Sequence, residues 1–492
     1  MENGLATPLN AIRESIPFFI PELILSAGIL LIIISGLIRK NNLVITFIAF
    51  SIFVSLILLL TFTWNDAAKP VTLFGGMIRH DSYANYFKLL FDTAALLTVF
   101  MTWRNKKQEH LSEYYALLSS VVLGAHLLVM SVNLIMVFIS LELVSISSYL
   151  LTGFSFSKKS AEGSLKYFLF GSVASAIMLY GFSILYGLTG TLDFSSAEFF
   201  KGLLTIQSPL FLISGLMALA GFIYKIAAAP MHPWSPDVYE AAPMPVVAFF
   251  SVVPKLSGVA ILTRFIPAID IQGKSGYDWQ LIVVIIALLS LTIGNFSALW
   301  QKNPKRMMAY SSIAQSGFLL VGVAAFSGEG IHFMLFYAAV YLLMNFVVFL
   351  YLQVFEFNGV TTIAAFEGAG KNFPWPMVFM LVALISLTGL PPTSGFTAKL
   401  FVFSALWESY SVSGKPLLLV LLVFGLLNTV VSLFYYLRIP YYAFIKSGQS
   451  PLKTNNLTFE NFLGLILVLA VLYLFFNPEL LMGWINKITF VR

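Results

Sequence analysis

The 492-residue chain contains no cysteine. That excludes disulfides, thiolate-ligated iron–sulfur clusters and thiol chemistry within it. Histidine is scarce as well: His80, His110, His126, His232 and His332 are scattered, and no two stand three or four residues apart. Neither a haem nor a metal site is expected from them. Only 10% of residues are charged, against about 25% in a soluble globular domain. No Gly-rich phosphate loop is present. The first residues lack the basic n-region, short apolar core and small-residue cleavage site of a signal peptide. What abounds is apolar: 59% hydrophobic residues and a mean hydropathy of +0.89. These values imply an all-α polytopic membrane protein with little room for an aqueous domain. The formal net charge of +6 reads as membrane topology rather than nucleic-acid binding.

A spanning helix needs about 20 mainly apolar residues. Fourteen runs meet that need, at 19–38, 43–64, 83–103, 114–131, 133–154, 163–189, 208–228, 245–267, 279–300, 307–327, 331–355, 374–404, 416–438 and 459–481. Two of them are interrupted. After 208–228 comes APMHPWSPDVYEAAPMP, with Pro230, Pro233 and Pro236. Inside 374–404 comes LTGLPPTSGF, with Gly389, Pro391, Pro392 and Gly395. Proline removes a backbone donor and clashes with the preceding turn, so both helices should break. A break at membrane depth survives only when buried in protein or lining a wet cavity.

Loop charges orient the chain. Fourteen lysines and arginines, among them Arg39, Lys40, Arg104, Lys106, Lys107 and Lys453, fall in one alternate set of loops; eight, among them Lys274 and Arg492, fall in the other set and the tails. The positive-inside rule places the richer set in the cytoplasm and both termini outside. The breaks suggest an internal repeat: the fourth to eighth and ninth to thirteenth spans form two sets of five, each with its fourth span broken. An odd number of spans per unit inverts one unit against the other, a transporter design. The expected division is 1–112 for the first three spans, 113–268 for the first repeat, 269–446 for the second, and 447–492 for the last span and tail.

Four ionisable residues lie deep in these runs: Glu142, Lys225, Lys255 and Lys399. Each costs roughly 2.5–3.5 kcal/mol at a helix centre on insertion scales, so each is a functional candidate by default. Glu142 reads as a carboxylate that pairs with a lysine, Lys225 first, or as a protonated acid in the bundle core. Two readings stand for Lys225, a proton site beside the break or a lysine snorkelling from a helix end. Lys255 follows Pro254 well inside its span, and Lys399 follows the second break by two turns. A lysine near its reference pKa of about 10.4 does not release a proton near pH 7. Burial can move it by up to 3–5 units and a nearby carboxylate pushes it back, so a lysine with a movable carboxylate can hold or release a proton. Lys166 is open between such a role and an i,i+4 pair with Glu162. His232, in the first break, is open as a proton carrier. Lys88 and Asp92 read as a local i,i+4 pair, His126 as a satisfied core group, and Glu22 and Arg264 as interfacial.

The stretches SLELVSISSYLL (140–151), EGSLKYFLFG (162–171), MHPWSPDVYEAAPMPVVAFFSVVPKLSGVA (231–260), NPKRMMAYSSIAQSG (303–317) and LTGLPPTSGFTAKL (387–400) resemble the antiporter-like membrane subunits of the proton-pumping NADH:quinone oxidoreductase, respiratory complex I. The PDVYE form resembles the N type rather than the L and M types. The resemblance runs from the fourth to the thirteenth span. It implies Glu142 and Lys225 as the coupling pair of an input half-channel, Lys255 as the central connector, and Lys399 as the site exchanging with the periplasmic side, with Lys166 an adjunct. It implies no cofactor in this chain, with NADH, FMN, iron–sulfur clusters and quinone bound by partner subunits. The partners implied are neighbouring antiporter-like and small membrane subunits, within the lipid bilayer of a bacterial inner membrane, with the outside face, and so both termini, periplasmic. Gln315 stands where relatives often carry histidine, which puts a titratable relay there in doubt. Two rival readings remain: a subunit of a multisubunit cation/proton antiporter or membrane-bound hydrogenase, and a passive subunit whose charges only fix packing.

Overall fold

A computed structural model describes residues 10–38, 41–103, 110–204, 209–270, 276–446 and 457–489. Among the orienting basic residues, Arg39, Lys40, Arg104, Lys106, Lys107, Lys274, Lys453 and Arg492 lie outside the described residues. The described chain is helical apart from one short hairpin. Eleven of its helices are long and apolar enough to cross a membrane, and Pro209–Lys225 and Pro374–Thr388 are shorter apolar helices. Contacts divide the chain into two compact units, one made of residues 1–225, 253–279 and 487–492, the other of 226–252 and 280–486.

The first unit begins with α1 (Ile20–Ile38) and α2 (Asn42–Phe62). A hairpin follows, β1 (Val71–Leu73) and β2 (Ile78–His80), and then α3 (Ser82–Thr102), α4 (Leu111–Met130), α5 (Leu134–Thr152) and α6 (Lys158–Thr189). A short α7 (Ala197–Leu204) leads to α8 (Pro209–Lys225). The hairpin pairs Val71 with His80 and Leu73 with Ile78. Helix starts are set by side-chain caps: Asp81 accepts from Ala84 N–H at 2.8 Å, and Asn133 from Ile135 N–H at 3.0 Å. α6 and α8 approach closely at Gly181, where an added Cβ would lie 2.8 Å from the Ser214 carbonyl oxygen. Small residues at such crossings let membrane helices pack backbone to backbone.

Arg264, on the long helix that ends this unit, is 8% exposed. Its guanidinium holds Asp81 at 2.6 and 2.8 Å, and its Nε donates to the Val129 carbonyl at 2.8 Å. The interfacial reading of Arg264 is therefore corrected: the fork ties the start of α3 to the end of α4 inside protein. Glu22 is corrected likewise. It is fully buried, with Lys88 Nζ at 2.7 Å and His126 Nδ1 at 3.2 Å. Lys88 thus turns to a carboxylate on another helix rather than to Asp92 one turn away. No ion pair joins Lys88 and Asp92 among the described residues.

The second unit contains α9 (Trp234–Ala241), the start of α10 (Met244–Asp270), α11 (Trp279–Leu299, from Gln280), α12 (Pro304–Ala324) and α13 (Gly328–Phe357). It continues with α14 (Pro374–Thr388), α15 (Ser394–Ser413), α16 (Pro416–Tyr436), α17 (Thr458–Phe476) and α18 (Glu479–Ile485). Burial grades its helices: 94% of the apolar window of α12 and 83% of that of α13 is buried, against 28% for α17. α12 and α13 are the core of the unit. Asn303 starts α12 by accepting from the Lys305 and Arg306 amides, with Pro304 in the first turn.

Candidate functional site

The chain interrupts two helices where the prolines cluster. α8 ends at Lys225, and helix resumes at Trp234; α14 ends at Thr388, and helix resumes at Ser394. Backbone groups freed at membrane depth need partners. At the first break, the Ala229 amide donates to Ser290 Oγ on α11 at 2.9 Å, and Ser316 Oγ on α12 donates to the Ile226 carbonyl at 2.7 Å. At the second, Gly395 N–H donates to Ser386 Oγ at 3.1 Å. An added Cβ at Gly395 would lie 1.8 Å from the Ser386 carbonyl oxygen, so the two half-helices overlap only because that residue is glycine.

Lys399 is 4% exposed and reaches back from α15 across the second break. Its Nζ donates to the carbonyls of Leu387 at 3.0 Å and Thr388 at 2.7 Å, and sits 4.0 Å from the centre of the Phe318 ring. These are the exposed carbonyls at the C-terminal end of α14, the negative end of its dipole. The ring adds about 0.5–2 kcal/mol of attraction for a cation. Gly389, at φ 87°, leaves space for the lysine stem; a Cβ there would lie 2.7 Å from Lys399 Cδ.

Lys225 is the last residue of α8 and is 1% exposed. The snorkelling reading is thereby set aside, because the ammonium does not reach a surface. Its Nζ donates to Ser145 Oγ at 3.1 Å. Ser145 lies three residues after Glu142 on α5, on the same face. Glu142 is half-buried and accepts a hydrogen bond from Ser175 Oγ on α6. No ion pair within 4.0 Å joins Glu142 and Lys225 among the described residues. Ser145 takes the lysine's hydrogen bond in place of the carboxylate. Ser145 and Ser175 were missed from the sequence; Ser145 was open to discovery by its spacing from Glu142, Ser175 was not.

Lys255 is 1% exposed, inside α10 and one residue after Pro254. His232 is half-buried in the first break, its carbonyl accepting from the Ser235 amide at 3.0 Å. Lys166 stands apart from the buried set: it pairs with Glu162 at 2.9 Å, and the two side chains are 43% and 63% exposed.

Gln315, 1% exposed, fills its position with neutral hydrogen bonds. Its Nε2 donates to the Leu387 carbonyl at 3.2 Å and to the Tyr436 hydroxyl at 3.1 Å, and its Oε1 accepts from Tyr337. Gln315 and Lys399 thus share the Leu387 carbonyl. Arg306 brings together two motifs that the sequence showed separately: Nη1 holds Asp237 at 2.8 Å and Glu240 at 2.9 Å, so PDVYE on α9 is clamped by NPKR at the head of α12.

Chemically, the arrangement offers buried ammonium groups at the ends of half-helices, held by carbonyls and hydroxyls rather than by carboxylate partners. Such groups can give up a proton without leaving an acid unpaired.

Residues 131–430 match the family described as NADH:quinone oxidoreductase/Mrp antiporter, TM. The chain is 37% identical over 489 residues to the NADH-quinone oxidoreductase subunit N of Chlorobium chlorochromatii, covering 96% of this chain and 94% of that one. It superposes with a TM-score of 0.80 on a chain of respiratory complex I from Thermus thermophilus, at 26% identity, covering 95% of this chain and all of that one. It also shares its fold, with a TM-score of 0.86 at 23% identity, with a chain of an archaeal membrane-bound sulfane sulfur reductase.

Proposed function

Because the chain belongs to the NADH:quinone oxidoreductase/Mrp antiporter membrane family, we propose that it is a proton-translocating subunit of an NADH:quinone oxidoreductase. Protons move through Glu142, Lys225, Lys255 and Lys399, with His232 as an additional carrier and Lys166 as a peripheral adjunct. The chain does no redox chemistry and holds no cofactor; NADH, FMN, iron–sulfur clusters and quinone belong to partner subunits. Quinone reduction elsewhere supplies the energy, through neighbouring antiporter-like and small membrane subunits. We read the fold as fourteen spans with two inverted five-span repeats and both termini in the periplasm.

The observation that carries this reading is Lys399, a buried ammonium whose hydrogen bonds go to backbone carbonyls at a helix break. A packing lysine would be expected to carry a carboxylate partner, as Lys88 does. Proton transfer along the path runs between groups that titrate as a coupled set. A proton crossing 100 mV costs about 2.3 kcal/mol, so the apolar stretches between the charges must block leakage.

The test is Lys225→Ala and Glu142→Ala in the assembled complex, reconstituted into vesicles. The reading requires quinone reduction with a reduced proton-to-electron ratio. Assembly with a normal ratio sinks it and favours a passive packing role. The shared family favours one other reading, a subunit of a cation/proton antiporter or membrane-bound hydrogenase. Purification with antiporter subunits in place of quinone-reducing ones would establish that instead.

A further inference from the structure

A second set of buried ionisable groups lies in the first unit, on helices that the lysine row does not use. Glu22 on α1, Lys88 and Asp92 on α3, and His126 on α4 are each 0% exposed. Lys88 Nζ lies 2.7 Å from Glu22 Oε1. The His126 ring lies between two carboxylates: Nδ1 is hydrogen-bonded to Glu22 Oε1 at 3.2 Å, and Nε2 is 3.3 Å from Asp92 Oδ1 without hydrogen-bond geometry. Asp92 is about 15 Å of helix from the start of α3.

The composition of the cluster favours a proton. A neutral imidazole donates from one nitrogen and accepts at the other. Placed between two ionised carboxylates, it would point a lone pair at one of them. Charge leads to the same result. Two carboxylates and one ammonium leave a net charge of −1 in a dry site, and an uncompensated buried ion costs several kcal/mol. One added proton, on His126 or on the carboxyl of Asp92, neutralises the cluster.

The cluster also has an approach. A cavity of about 620 Å³ lies at the hairpin end of α1 and α2, lined by Pro21, Thr63, Asp66, Lys69 and His80 among others. Pro21 adjoins Glu22, and the His80 ring lies in the cavity wall, 5.4 Å from that of Phe18. Both Lys88 and Glu22 act electrostatically on His80. Between His80 and Lys88 along α3 stands Asn85, whose buried side-chain amide has no hydrogen-bond partner among the described residues. Asn85, Lys88 and Asp92 recur at intervals of three and four, on one face.

We propose that Glu22, Lys88, His126 and Asp92 form a second proton-binding site, in which one proton shared along Glu22–His126–Asp92 exchanges with the cavity through His80. The groups around it are few. α2 carries no charge, α4 adds Glu113, β2 adds Arg79 and His80, the start of α3 adds Asp81 with Arg264 paired to it, the cavity wall adds Asp66 and Lys69, and α5, packed on α4, carries Glu142. The site is separate from the lysine row and does not depend on that row's role.

Infrared difference spectra of membranes holding the complete assembly, between about pH 5 and about pH 9, read carboxylic-acid and imidazole bands directly. Bands that titrate in the unaltered protein and vanish in both Asp92→Asn and Glu22→Gln support the site. His80→Phe should leave those bands in place and slow their hydrogen–deuterium exchange about ten-fold. Titrating bands unchanged in both carboxamide variants overturn the site, and unchanged exchange in His80→Phe overturns its access route. Should the carboxamide variants fail to assemble, protein with isotope-labelled histidine rings decides. A titrating ring band lost in His126→Gln supports the site, and no titrating ring band in the unaltered protein overturns it.

Discussion

Lys399 Nζ donates to the Thr388 carbonyl at 2.7 Å, so the cation of one half-helix closes the open end of the other. The same contact gives the lysine a structural duty in addition to any role in charge movement. Lys399→Met keeps the stem and removes the donor, leaving the Leu387 and Thr388 carbonyls without it. Thermal unfolding of the solubilised complex should show a loss of about 1–3 kcal/mol. Proton translocation in vesicles should fall with it, and Lys399→Arg, which keeps a donor, should recover stability more fully than pumping.

Gly389 offers a way to move Lys399 without altering it. Gly389→Ala places a methyl group 2.7 Å from Lys399 Cδ and forces a side chain into φ 87°. The conformation alone costs about 1–2 kcal/mol. Gly414→Ala carries a similar strain, at φ 65°, but meets nothing within 4 Å. Gly389→Ala should lose more stability than Gly414→Ala, by the share of the Lys399 contacts it disturbs, and only Gly389→Ala should also lose pumping. Equal pumping in the two would show that the position of Lys399 does not matter.

Ser145, one turn after Glu142 on α5, takes the hydrogen bond of Lys225. Ser145→Ala removes the 3.1 Å hydrogen bond to Lys225 and leaves both charges in place. A hydrogen bond to a charged group is worth about 1.5–3 kcal/mol. The proton-to-electron ratio should drop in Ser145→Ala, and Ser145→Thr should restore it. Ser175→Ala should act on Glu142 in the same direction.

Arg306 tests the clamp between α9 and α12. Its side chain is 30% exposed, and those of Asp237 and Glu240 are 34% and 22% exposed. Screening limits such a pair, so Arg306→Ala should cost about 1 kcal/mol or less at high salt and more at low salt. Arg306→Lys keeps the charge and loses the two-pronged geometry. Limited proteolysis across residues 226–243 at two salt concentrations separates these effects.

His80, in the hairpin outside the spans, gives a pH signature. Burial, and then the positive charge of Lys88, hold its imidazole down at about 4, against the pull of Glu22, Asp81 and Asp66. The folded form therefore resists protonation that the unfolded chain accepts near pH 6.5. The stabilisation is present above about pH 6.5 and is lost as the pH falls toward about 4, by up to about 3 kcal/mol. His80→Gln should flatten the unfolding midpoint across that window.

The breaks and the buried lysines were legible because each is local. Proline clusters mark the interruptions, and a lysine in the middle of an apolar run announces itself. The Glu22–His126–Asp92 bridge was not legible, because it joins positions far apart in sequence. Glu22 lies in the first turn of α1 and passes alone for an interfacial acid. Lys88 and Asp92 have the spacing of a local pair, and a carboxylate on another helix took the lysine instead. The one available signal was Asn85, Lys88 and Asp92 on a single face of α3. PDVYE and NPKR were each visible as motifs, but nothing in their spacing said that Arg306 joins them.

The two interruptions differ in how far along the chain their partners lie. Lys399 closes its carbonyls from 11 and 12 residues downstream. Ala229 and Ile226 depend on Ser290 and Ser316, 61 and 90 residues later. A ribosome that has passed the second interruption by about three turns of helix has also made the lysine that closes it. The first must wait, with open amides and carbonyls, until the chain through α12 has left the translocon. During synthesis, the stretch from 226 to 233 is therefore where an insertase or chaperone has most to protect, and where a pause in translation would do most harm.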